Sequence, residues 1–189
     1  YKGCWYEIHK RYLKELKDFI SEREIDSTIT KLPKWNGSDS EGVYNQAAAT
    51  IVGGQCWDKN LYRHTDFSYG IEFCDILHFE YVIHVKKLAC SALNSHLLMQ
   101  TYVSAQLLKS DPSIKKWIYD ESKATFKKNI LLNRKLEFKS ASVKYLVVLM
   151  SCQPKKKLVD VLPFFSLVTF NMMIRRIEQL DFEIRVCLV

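Results

Sequence analysis

The chain has 189 residues, 48% apolar and 26% charged, the balance of one folded globular domain, which excludes a disordered or fibrous protein. Six Gly and four Pro rule out a low-complexity or collagen-like chain. Lys and Arg number 28 against 21 acids, so the formal charge is +7, suited to nucleic acid or another anionic partner.

Ile8, Tyr12, Leu13, Leu16, Phe19 and Ile20 recur at helical spacing among Lys, Arg and Glu, which predicts an amphipathic first helix. Residues 32–40 are turn chemistry, with Pro33 and Asn36-Gly37. Ser38, Asp39 and Ser40 are then candidate caps for a helix through Glu41, Tyr44, Ala48 and Ile51, stopped by Gly53-Gly54. A short strand is expected near 55–59. Residues 69–77 and 80–86 are rich in aromatic and β-branched side chains and predict two strands joined by a tight loop near His78 and Phe79. Helical spacing returns over 91–108, and Asp111-Pro112 starts a further helix to about Leu132. Residues 143–150 form a nearly continuous apolar run, as in a strand covered on both faces. A helix over 164–180, apolar nearly all round and so expected to be buried, precedes a final strand alternating Phe182, Ile184, Val186 and Leu188 with polar residues. This order predicts an α/β fold, a mixed central sheet flanked by helices.

Cys4, Cys56, Cys74, Cys90, Cys152 and Cys187 are scattered without C-x-x-C spacing, so they are expected reduced, in a cytoplasmic protein. No apolar run approaches the ~20 residues of a membrane helix, and no membrane partner is expected. The chain starts at Tyr1 without a signal-peptide pattern. It therefore reads as one domain over 1–189, the C-terminal part of a longer protein, with 1–35 as a helical extension.

Several polar residues interrupt apolar elements where burial costs free energy. Asp75 lies near the end of one strand, and His84 and Lys86 lie two apart on the next, hence on one face. A loop at 78–81 sets Asp75 opposite His84, with Cβ atoms about 4.5–5.5 Å apart. Glu41 opens the preceding helix and Gln100 lies on the following one. Carboxylates, an imidazole and an ammonium gathered in this way suit phosphodiester hydrolysis with Mg²⁺ or Mn²⁺, in which the metal activates water and a lysine stabilises developing charge. A simpler reading makes Asp75 and Lys86 an ion pair of the hairpin, His84 a core histidine, and Glu41 a first-turn acid favoured by the helix dipole. Glu72, three residues from Asp75, falls on the opposite strand face and reads as structural or as a helix-facing pair. His96 and Gln100 share a helix face and are read as binding the nucleic-acid substrate or as hydrogen-bonding to the hairpin, and Ser91 and Ser95 near that helix's start can cap it or hold a phosphate. Lys87 and the run Lys155, Lys156 and Lys157 are candidate phosphate contacts. Trp35, Trp57 and Trp117 read as core.

The arrangement of helix Glu41, strand Asp75, strand His84-x-Lys86 and helix Gln100 resembles the PD-(D/E)xK restriction-endonuclease-like fold, whose core is helix, three strands, helix, strand. More narrowly, Glu41-x-x-Tyr44-Asn45, Asp58-Lys59, Glu72-x-Cys74-Asp75, His84-Val85-Lys86, Ser95-His96-x-x-x-Gln100 and Leu162 to Ser166 are similar to motifs of a sporadically distributed bacterial family of unknown function. The nuclease resemblance implies catalytic roles for Asp75, His84, Lys86 and Gln100. It implies metal ligation by Glu41, Asp75 and His84, and a nucleic-acid substrate, DNA ahead of RNA. His84 stands where that fold carries an acid. The expected function is thus a metal-dependent nuclease, associated with defence or mobile elements. The alternative is a catalytically inactive nucleic-acid-binding or protein-interaction domain of the same fold; a homo-oligomer is open in either case.

Overall fold

The structure, a computed structural model, describes residues 7–63, 69–88, 91–139, 143–152 and 156–189, with side chains in the 91–110 helix described from Asn94 onward. The first helix, α1 (Lys10–Ser21), buries Leu16 and Ile20, as its spacing predicts. A single turn, α2 (Ser27–Thr30), follows. Ser40 is the residue that caps α3 (Glu41–Val52): its hydroxyl accepts from the Val43 N–H, and Gly53 closes the helix at φ 70°.

The expected strand over 69–77 is two strands. β1 (Gln55–Cys56) and β4 (Ile76–Leu77) pair in the main sheet, whereas β2 (Leu61–Tyr62) and β3 (Ile71–Glu72) form a separate small hairpin. The break at Phe73-Cys74-Asp75 has a packing cause: Phe73 and Cys74 are both fully buried, which alternation on a half-buried strand forbids. β5 (Tyr81–Lys87) then runs antiparallel to β4, joined by a turn in which the His78 N–H donates to the Tyr81 carbonyl at 2.9 Å.

Helices α4 (Ser91–Ser110) and α5 (Pro112–Phe126) lead to β6 (Lys144–Met150). The helix expected to reach Leu132 stops at Phe126, because Lys127 turns left-handed at φ 54°. A turn, α6 (Leu158–Val161), precedes α7 (Phe164–Glu178) and the last strand, β7 (Glu183–Leu188). The main sheet has the order β1-β4-β5-β6-β7, antiparallel up to β5 and parallel from β5 to β7. It is the expected mixed α/β sheet.

Two cores cover it. Val82, Tyr145, Val147, Ile184 and Val186 face the layer of α1, α4, α5 and α7, while Ile83, Val85, Leu146 and Val148 face α3. The run 144–150 is apolar because both of its faces are covered. α7 is less enclosed than its composition predicts: Phe165 is 72% and Met172 46% exposed, since its apolar partners lie on one side. The free edge of β7 is capped by residues 23–25, with the Ile25 N–H donating to Val186 and the Val186 N–H to Arg23. Among the described residues no helix is long and apolar enough to cross a membrane.

Candidate active site

The hairpin register is the expected one, with Ile76 opposite Ile83 and Leu77 opposite Val82, a pairing that continues to Asp75 opposite His84. The two side chains nevertheless part. Asp75 lies just before β4, and its Oδ2 accepts from the Val85 N–H at 2.8 Å while its Oδ1 accepts from Asn45 Nδ2 at 3.3 Å. The carboxylate thus stands in for a carbonyl of the sheet and looks toward α3. His84 projects into the other core, 2% exposed, its ring stacked on Tyr145 at 6.2 Å with Nε2 unpartnered. Burial alone pushes its pKa down to about 3.

The acids that converge on Asp75 are Asp58 and Glu72. One ligand oxygen from each lies within 4.8 Å of the others, and this trio could hold a metal ion. Glu41 and His84, expected as metal ligands, are not among the converging groups. The chain break explains the change. With 73–75 out of strand geometry, Glu72 and Asp75 no longer alternate faces, and the turn after β1 carries Asp58 to the same place. That turn is held by the Asn60 N–H to the Trp57 carbonyl at 2.9 Å, and by the Trp57 N–H to the Asp75 carbonyl at 2.7 Å. Lys59 takes φ 63° there and donates its N–H to Glu72 Oε1 at 2.7 Å. Asp58 packs on the first turn of α3 so closely that a Cβ at Gly42 would sit 3.0 Å from its Oδ2.

Glu41 and Lys86 do meet, as a half-buried ion pair at 2.8 Å, and Glu41 also accepts the Lys87 N–H at 3.0 Å. The Lys86 pKa is raised by its hydrogen bond to Glu41 first, and by the charges of Glu41, Asp75 and Glu72. The Asp75 carboxyl is pushed up to about 7, mainly by burial; its hydrogen bond from Val85 opposes this, and the negative charges of Glu72, Asp58 and Glu41 add to it. Among the described residues no Lys or Arg forms an ion pair with Asp58, Glu72 or Asp75. Asn45, wholly buried beside Asp75, leaves its own Oδ1 unpartnered.

Next to the trio, Glu72, His96 and Gln100 line a cavity of about 610 Å³ between β3 and α4. Gln100 therefore faces the site region, although it bonds to none of the acids. Ser95 is half-buried; the side chain of Ser91, and Lys155 altogether, lie outside the described residues. The remaining candidate phosphate contacts lie at the carboxyl ends of the parallel strands. Lys87 stands over the Trp35 ring at 4.9 Å and lines a crevice with Lys156, while Lys156 and Lys157 line another with Lys34. Trp35, expected in the core, is half-buried beneath that lysine; Trp57 is fully buried with Trp117 edge-on at 5.2 Å.

Asp58 and Glu72 belong to the quoted D-K and E-x-C-D motifs, and only the assumption of an unbroken strand kept Glu72 out of the candidate ligands. This is an acidic, metal-competent pocket on a mixed α/β sheet. The whole chain, residues 1–189, matches the family described as Family of unknown function (DUF6119), and the chain belongs to that family. Comparison with curated proteins and with solved structures gives no match.

Proposed function

We propose that the chain carries a metal-dependent phosphodiesterase site acting on nucleic acid, with Asp58, Glu72 and Asp75 as the ligands for Mg²⁺ or Mn²⁺. The supporting observation is the trio itself: its oxygens lie within 4.8 Å of one another. Three carboxylates so close repel one another, and with no basic side chain paired to them among the described residues a divalent cation is the natural relief. An all-oxygen donor set fits a hard cation, and the wholly buried Asn45, bonded to Asp75 and leaving one amide oxygen unpartnered, is consistent with a polar site.

When bound, such a cation polarises a phosphoryl oxygen and lowers the pKa of its water. The protein's own groups do the rest. Lys86, fixed by Glu41 and held firmly protonated, is poised to donate a hydrogen bond to a phosphate oxygen and to stabilise the charge it gains. Asn45 and the Val85 N–H orient Asp75. Lys87 and Lys156, beyond Lys86 along the strand ends, would hold flanking phosphates. His84 has no part in this reading. The free thiols of Cys56, Cys74, Cys152 and Cys187 accord with a reducing, cytoplasmic setting.

The test is Mn²⁺ binding followed by electron paramagnetic resonance, alongside cleavage of single- and double-stranded DNA and RNA. Asp75→Ala and Glu72→Ala are expected to weaken Mn²⁺ binding at least tenfold. Lys86→Ala is expected to retain the metal and to lose cleavage by about 10²–10³. Equal cleavage by all three variants and the wild type overturns the reading. Salt-sensitive nucleic-acid binding without cleavage or metal uptake replaces it with a binding module.

A further inference from the structure

We propose that the cavity beside the acidic trio receives a nucleobase, so that the substrate is single-stranded nucleic acid at the nucleotide next to the reacting phosphate. This rests on the phosphodiesterase reading above and specifies its substrate.

The cavity, about 610 Å³, lies in the range of small-ligand sites. One wall is Tyr69, Ile71 and Glu72 from β3 and its approach. The other is a single face of α4, where His96, Gln100, Val103 and Gln106 follow at three- and four-residue spacing. Glu72 belongs both to this wall and to the trio, so the two sites share a side chain. On the proposed reading, this shared Glu72 sets the nucleoside adjoining a phosphate at the trio in the cavity.

The chemistry of the walls selects the base over other groups. Met99, Val103 and Leu107 supply an apolar slot, while Gln100, Gln106 and His96 supply amide and imidazole groups that donate and accept, as a base edge requires. Tyr69 stands at the rim, 67% exposed. Among the described lining residues there is no Lys or Arg, and Glu72 is negative, so the cavity is unsuited to a phosphate. Charge divides the two sites: the anion goes to the metal and Lys86, the neutral planar group to the cavity. A base paired in a duplex presents neither its face nor its edge to such a slot, so the nucleotide must be unpaired.

The full chain, with Mn²⁺ present, is titrated by calorimetry with the four deoxynucleoside 5′-monophosphates and with 2-deoxyribose 5-phosphate, which lacks the base. At least one nucleotide is expected to bind tenfold or more tighter than the baseless sugar phosphate. Val103→Trp, which fills the slot, and Gln106→Ala, on an exposed position that leaves folding intact, are expected to erase most of that difference while Mn²⁺ affinity stays within twofold. Equal binding of nucleotides and sugar phosphate, or nucleotide selectivity unmoved by both variants, overturns the base cavity even if Mn²⁺ binds. Should the tryptophan variant fail to fold, Gln106→Ala and the baseless ligand decide. Absence of Mn²⁺ binding in the wild type overturns the metal reading separately, and selectivity still lost in Gln106→Ala would then leave the base cavity standing.

Discussion

At the scale of single residues, His84 and Asp75 show how one register position yields two environments. Asp75 is bonded to a backbone N–H and to Asn45, and acids stand around it. His84 is buried against the Tyr145 ring with Nε2 unpartnered, so its charged form is costly and its pKa falls to about 3. A histidine whose folded pKa lies below the unfolded 6.5 contributes full stability above that value. The contribution is lost as pH falls from 6.5 toward 3, because the unfolded chain takes up a proton the folded one refuses. His84→Leu removes both the unpaired nitrogen and this loss. Chemical denaturation should show it more stable by roughly 1 kcal/mol at pH 7, with the advantage growing as pH is lowered to 5. Its Mn²⁺ affinity should match the wild type within twofold; a tenfold drop would return His84 to the ligand set.

At the scale of elements, the site is assembled by the first turn of α3, the turn after β1, and the break between β3 and β4. The first contact is tight, since Asp58 Oδ2 lies where a Gly42 Cβ would meet it at 3.0 Å. Gly42→Ala therefore sets two effects against each other. Alanine favours the helix by about 0.5–1 kcal/mol, while the added methyl displaces Asp58. The expected result is an unchanged or higher Tm with Mn²⁺ affinity reduced several-fold; unchanged affinity would show that Asp58 is not a ligand. The ion pair read from the sequence, Asp75 with Lys86, is replaced by Lys86 with Glu41 at 2.8 Å, because the Asp75 carboxylate is taken up by the Val85 N–H and Asn45. Glu72 was not legible as a ligand, because period-two reasoning assumes a continuous strand. Buried Phe73 and Cys74 in succession break that period, and nothing local distinguishes them from ordinary strand residues.

At the scale of the whole molecule, the formal charge is +7. Lys34, Lys87, Lys156 and Lys157 line two crevices at the carboxyl ends of the parallel strands, together with the acids Glu24, Asp26 and Asp160, so lysines outnumber acids by one in each. On the proposed reading, a nucleic-acid strand lying there would release counterions for each phosphate neutralised. Lys156 lines both crevices, so Lys156→Ala should weaken binding at every sequence alike. The slope of log K against log salt should become shallower by about 0.7–0.9. A steep slope unchanged by this variant would move the binding face elsewhere.

The fold class was legible throughout the chain because apolar periodicity is a local property. Helical spacing in α1 and the continuous run of β6 each report one element and its covered faces, whereas the alternation of β7 reports the strand but not the burial of Cys187 on the face expected to be wet. Turn chemistry over 38–40 and at Gly53 reported the ends of α3 for the same reason, with the choice of Ser40 among three candidate caps made by the structure. What tertiary structure alone decided is which carboxylates share a pocket and which core takes His84. Those outcomes depend on a strand break set by packing on two faces at once, and on a turn that brings Asp58 across to Asp75. Charge clustering acts through space, so its partners follow from the sheet and not from their spacing along the chain.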